Sequence, residues 1–217
     1  TISEVWDDLV NDSNSSVLVN RATQGLYPPG STFKILTALE YIRENPLTYQ
    51  NYSFDCNGRF TSGEDTIRCF HGTKHGKVDF TTSFAKSCNS SFANMGLTLS
   101  RTSFEDTLSS LYFNQSLPVD LTTNISKVSI GTSSSDSDLI QTVIGQGTTQ
   151  MTPLHLSMIT SMIANHGIMM QPYIIDRVES ADGNLIKSFS PDSLGQLISE
   201  EEADILKNLM IAVVQEG

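Results

Sequence analysis

One stretch constrains this chain more than any other: LYPPGSTFKILTALEYIREN, residues 26–45. Two prolines and a glycine form a stiff turn that delivers Ser31 to the start of a long apolar-periodic run. Ile35, Leu39 and Ile42 recur at helical spacing, so a helix is expected from Ser31 to about Asn45, closed by Pro46. Further helices are expected over residues 2–10, from Phe80 to Lys86, through SSFANMGLTLS after Asn89, and over 103–112. Thr152 before Pro153 opens a helix to about Asn165. Ser199 with Glu202 forms a capping box for a last helix to about Gln215. Strand signals are scarce. SSVLV at 15–19 reads as a short extended piece, and PYIIDRVESADGNLIKSFS gives one hairpin at 173–189, turning at Asp182-Gly183. Residues 47–76 read as a long irregular loop and 133–138 as a short polar one, so the fold class is mainly α.

The 217 residues, 38% of them hydrophobic, suffice for one or two domains with a true core. No run of 18 apolar residues and no signal-peptide pattern occurs. A net charge of −11 argues against a nucleic-acid partner, whose affinity comes from neutralising phosphates. Three cysteines, Cys56, Cys69 and Cys88, are too few for a disulfide scaffold, although Cys56 and Cys69 could close one loop in an oxidising compartment.

Ser31 and Lys34 are three apart and project together from a helix. A serine hydroxyl needs a base to become a nucleophile, and a lysine desolvated in a cleft can serve as one. The same four letters also fit an N-cap serine followed by a solvent lysine. A second S-x-x-K, Ser83 to Lys86, shows how cheap the pattern is, but it lies inside a helical run rather than after a turn. Ser87-Cys88-Asn89 follows directly. It offers a second hydroxyl to relay a proton and an amide to hold a peptide bond, with Cys88 pointing the other way.

With these motifs in this order, the chain resembles the transpeptidase domain of a class B penicillin-binding protein. NRATQGLYPPGSTFKI at 20–35 resembles the family's nucleophile segment and HGKVDFTTSFAKSCNSSFANMG at 75–96 its second-motif region. IGQGTTQMTPLHLSMITSMIANHGIMMQPYII at 144–175 resembles its Gly-Gln-Gly segment, the helix after it and the next strand. The resemblance implies that Ser31 attacks a D-Ala-D-Ala carbonyl, Lys34 is the base, Ser87 relays the proton and Asn89 binds the substrate amide. It implies peptidoglycan stem peptides and β-lactams as ligands, elongation or division proteins as partners of the full-length protein, and no cofactor. It also implies an extracytoplasmic location, with a membrane anchor ahead of the domain.

The family's third motif, Lys-Thr/Ser-Gly, is missing from residues 1–217, since Lys74-His75-Gly76 precedes the second motif. The resemblance therefore identifies 1–217 as the helical portion of the α+β β-lactamase/transpeptidase-like fold, with the central five-stranded sheet largely absent. Such a piece is expected to transpeptidate little and to expose apolar helix faces that favour self-association. A β-lactam sensor, a D,D-carboxypeptidase, a β-lactamase and a scaffold that only binds partners are the alternatives. The flanking blocks and the intact polar groups favour the transpeptidase.

Cys56, Cys69, His71 and His75 invite a zinc reading, but the two cysteines lack the close C-x₂₋₄-C pairing of structural sites, so no metal is expected. Cys88 is expected to pack in the core rather than react. Gly145-Gln146-Gly147 lacks the third glycine of a dinucleotide loop and reads as a turn. The N-x-S/T sequons at Asn14, Asn51, Asn89, Asn114 and Asn124 matter only in a eukaryotic secretory setting, which the family does not suggest.

Overall fold

The computed structural model describes residues 2–12 and 15–217; the sequon at Asn14 lies outside them. Helix α1 (Ile2–Asn11) buries none of its residues. The nucleophile segment then enters through a 3₁₀ turn, Gly30–Phe33, which runs into α2 (Lys34–Glu44). The expected apolar stripe of α2 is present, but the helix is buried nearly all round from Lys34 to Glu40. α4 (Asn89–Gly96), α5 (Arg101–Ser110) and α8 (Glu200–Glu216) surround it. Its inward polar groups are accommodated individually. Thr37 Oγ1 donates to the Val143 carbonyl at 2.8 Å, and burial pushes the Glu40 carboxyl above its ordinary range.

The remaining α-helices among the described residues are α3 (Phe80–Ala85), α6 (Asp136–Thr142) and α7 (Pro153–Ala164). Thr152 caps α7 and the Ser199/Glu202 box caps α8, as expected. Helix α6 falls partly where a polar loop is expected. Ser135 and Asp138 form a capping box there, a helix-start signal inside SSSDSD.

The long loop expected at 47–76 is instead partly strands. Those strands are β1 (Ser53–Cys56), β2 (Arg59–Ser62) and β3 (Asp65–Arg68), and β4 (Gly76–Asp79) follows. β2 and β3 form a hairpin, and β1 pairs antiparallel with β4 around it. Each strand is four residues long and turns few apolar side chains inward, chiefly Cys56, Ile67 and Val78, so the period-two signal is nearly hidden among Gly, Asn and Thr. The expected hairpin is β6 (Arg177–Glu179) with β7 (Leu185–Ser188), flanked by β5 (Ile168–Met170) paired with β8 (Ser193–Gln196). Among the described residues every sheet has two strands. Residues 15–19 are not extended: Val19 N–H closes a turn on the Ser16 carbonyl, and Val17, Leu18 and Val19 are exposed. Without apolar partners to bury, a three-residue apolar run has nothing to hold it as a strand.

Candidate active site

Ser31 is not a helix cap. It sits inside the 3₁₀ turn, whose N-cap position is Pro29 and carries no side-chain hydrogen bond. A 3₁₀ turn stacks residues i and i+3, so the Ser31 and Lys34 side chains leave the backbone on one line. The turn is pinned from below: Gly30 N–H donates to the Gly145 carbonyl at 2.9 Å, and Tyr27 pairs with Met151. Gly145 lies at φ +70, and a Cβ there would collide with the Gly30 carbonyl oxygen. The Gly-Gln-Gly turn is thus the seat of the serine turn, a role its sequence alone does not reveal.

The second motif lies at the junction between α3 and α4. After α3 the chain reverses at Ser87, which adopts φ +50, a left-handed conformation costly for a residue with a Cβ. That reversal sends Cys88 into the interior, fully buried, and turns Ser87 and Asn89 toward Lys34. Ser87 Oγ donates to Ser31 Oγ at 2.8 Å. Lys34 Nζ donates to the Ser87 carbonyl at 2.8 Å and to Asn89 Oδ1 at 2.7 Å, and lies 2.9 Å from Ser87 Oγ and 3.3 Å from Ser31 Oγ. Asn89 Nδ2 in turn donates to the Arg68 carbonyl at 3.0 Å, which fixes the amide's orientation. All four residues singled out from sequence therefore meet, and Asn89 has an added task as a ligand of the lysine.

Lys34 is 2% exposed, while Ser31 is open to solvent. Burial pulls the Lys34 ammonium down to about 8, with the nearby Cys88 and Cys69 thiols opposing. Its Nζ also lies 5.3 Å from the centre of the Phe92 ring. Two of its neighbours are carbonyl oxygens that can only accept. In the neutral amine these take both hydrogens and leave the lone pair for the serine hydroxyls. In front of this group lies a cavity of about 260 Å³, walled by Ile35, Phe84, Met210 and Val213. The second S-x-x-K has no such setting, since Ser83 is buried against Ser91 Oγ at 2.7 Å and Lys86 is exposed.

A buried amine between two serine hydroxyls, on a helical scaffold with small peripheral sheets, is the frame of a serine acyl-transfer site. Residues 6–217 match the family described as the penicillin-binding protein transpeptidase domain, and the chain belongs to that family. It is 27% identical over 216 residues to the peptidoglycan D,D-transpeptidase PbpA of Mycolicibacterium smegmatis, covering 98% of this chain and 44% of that protein. Among solved structures, penicillin-binding protein A from M. tuberculosis as an imipenem acyl-enzyme complex superposes with a TM-score of 0.87 at 26% identity, covering 98% of this chain and 49% of that one. The D,D-transpeptidase domain of a peptidoglycan glycosyltransferase from Eggerthella lenta also gives 0.87, at 28% identity, over 100% of this chain and 55% of the other. The chain thus spans about half the length of the relatives it matches.

Proposed function

We propose that this chain carries the acyl-serine centre of a peptidoglycan D,D-transpeptidase acting outside the cytoplasm. Ser31 Oγ attacks the carbonyl of the penultimate D-alanine of a stem peptide while its proton passes to neutral Lys34 Nζ. The tetrahedral intermediate collapses and the C–N bond to the terminal D-alanine breaks. The departing amine takes the proton back from Lys34 through Ser87 Oγ, leaving an ester on Ser31. An amine of a second stem peptide then attacks that ester, and the same relay runs again with roles exchanged. Asn89 orients Lys34 through Oδ1, and the Nδ2 hydrogen not bound to Arg68 is free to meet the substrate's peptide carbonyl. A β-lactam takes the stem peptide's place and stops at the ester.

The observation that carries this reading is the burial of Lys34 between two obligate acceptors and two serine hydroxyls. The solved relative captured as an imipenem acyl-enzyme supports the β-lactam half. We also read residues 1–217 as the helical part of the domain, with the central sheet and the Lys-Thr/Ser-Gly strand contributed by other parts of the protein. The exposed Val214 and Ile211 on α8 agree with that. Loss of one oxyanion donor typically costs about 10²–10³ in rate, so acylation of the chain alone is slow and transpeptidation slower. Labelling with a fluorescent penicillin tests the assignment. Ser31→Ala abolishes the label and Ser83→Ala keeps it; a label that survives Ser31→Ala refutes the reading.

A further inference from the structure

The cysteines and one histidine, set aside as a metal site on their spacing in sequence, converge in space. Cys56 ends β1, Cys69 follows β3, His75 precedes β4, and Cys88 sits between Ser87 and Asn89. The paired strands bring the first three together, and the reversal at Ser87 turns the fourth inward to meet them. Cys56 Sγ and Cys69 Sγ are 3.6 Å apart, Cys69 Sγ and Cys88 Sγ 3.8 Å, and Cys56 Sγ and His75 Nδ1 3.4 Å. The four donor atoms all lie within 4.8 Å of one another.

We propose that Cys56, Cys69, Cys88 and His75 form a structural Zn²⁺ site behind the second motif. Tetrahedral zinc with Zn–S bonds of about 2.3 Å sets its sulfur ligands roughly 3.8 Å apart, which matches the separations observed. The chemistry is that of a closed Cys₃His site. On binding, three thiol protons pass to solvent and His75 offers the Nδ1 lone pair, so the metal carries four protein ligands and no open position. Gly58 N–H approaches Cys56 Sγ at 3.4 Å, an outer-shell bond that steadies a thiolate. Gly58 itself lies at φ +97 against the Gly72 carbonyl, so the turn holding it admits no side chain.

A disulfide between Cys56 and Cys69, the pairing open at the level of sequence, would use two of these four groups. All three cysteines are free thiols in the structure. Cys69 stands nearly as close to Cys88, at 3.8 Å, as to Cys56, at 3.6 Å, and His75 points into the group, which a disulfide leaves unexplained. His71, the other histidine weighed, is not part of the cluster; it is exposed and packs on Phe70 at 4.0 Å. The site would clamp β1, β3 and the loop before β4 onto Cys88. Because Arg68 and Asn89 are joined by a hydrogen bond beside it, the metal would hold the second motif in register with Lys34.

The test is metal content and Co²⁺ spectroscopy on the whole chain, with Zn²⁺ or Co²⁺ alone as the probe. The expected result is one zinc per chain retained through gel filtration. The Co²⁺ form should show thiolate charge-transfer bands and the intense visible bands of tetrahedral cobalt. His75→Ala should weaken zinc binding by at least about 100-fold, since loss of mere outer-shell partners already costs about 10–100-fold. His71→Ala should bind as the parent does. Should the variant fail to fold, the parent still answers: a chelator lowers its melting temperature and Zn²⁺ restores it. Three outcomes overturn the proposal: no retained metal, a mass two hydrogens lower that shows a cysteine pair oxidised, or equal zinc affinity in His75→Ala. None of these readouts depends on acylation of Ser31, so failure here leaves the proposed function standing.

Discussion

Asn89 Oδ1 accepts a hydrogen bond from Lys34 Nζ at 2.7 Å, the shortest polar contact of that amine. The amide occupies one face of the lysine and the Ser87 carbonyl another, so the remaining valence points at the two hydroxyls. Orientation of the base and its burial thus arise from the same contacts.

The first consequence is a pH profile. Burial favours the neutral amine, and with the group at about 8 only a minor fraction is neutral at pH 7. The acylation rate with penicillin should therefore climb nearly tenfold per pH unit below about 8 and level off above it. Lys34→Met should remove the limb and most of the activity. A rate flat from pH 6 to 9 would count against a lysine base.

Asn89 gives a sharper test of positioning. Asn89→Ala removes a hydrogen bond to a buried amine, worth about 1.5–3 kcal/mol, so acylation should fall about 10–100-fold. Asn89→Asp should instead place a carboxylate on the lysine, favour its charged form and move the rising limb to higher pH. A mere structural role for Asn89 predicts no movement of that limb.

Gly145 supports the nucleophile without touching it. Its φ of +70 and the contact with the Gly30 carbonyl leave no room for a methyl group. Gly145→Ala should lower stability by more than about 1 kcal/mol and depress acylation beyond what the loss of folded protein explains. Melting curves alongside labelling at a temperature where the variant is folded separate the two effects.

Arg43 on α2 grips Glu202 on α8 with two bonds, Nε to Oε1 at 2.7 Å and Nη2 to Oε2 at 3.2 Å, and adds Thr107 at 3.0 Å. Burial alone would push the Glu202 carboxyl up, but the bonds from Arg43 and Ser199 together outweigh it and hold the carboxyl below its ordinary value. A depressed carboxylate stabilises the fold above its unfolded pKa and loses that contribution as pH falls through the folded one. Glu202→Gln should melt lower than the parent at pH 7, and the gap should begin to narrow near the unfolded value of about 4.3 and vanish only in stronger acid, once the folded carboxyl is protonated too. A gap that persists in acid would show that packing, not charge, accounts for the difference.

How much of this was legible depends on the range of each interaction. Ser31 and Lys34 are three residues apart, so a local rule places them together, and the order of the blocks extends that to Ser87 and Asn89. The capping signals of α7 and α8 are equally local, and Ser135 with Asp138 carries the same signal at α6, masked by the polar letters around it. What escaped is non-local. The strands between Ser53 and Asp79 carry too few apolar residues to announce themselves, and without them Cys56, Cys69 and His75 look scattered. Thr37 and Glu40 are polar letters on α2 that nothing local marks as interior. Only the surrounding helices and the Val143 carbonyl make them interior.

The central claim is that Ser31, served by Lys34, forms a covalent ester. Intact-protein mass after incubation with excess penicillin, beside Ser31→Ala, tests it most directly. The account predicts a single one-drug mass increase in the parent, faster at pH 9 than at pH 7, and none in the variant. An adduct of the same size on Ser31→Ala, or more than one adduct on the parent, would contradict it.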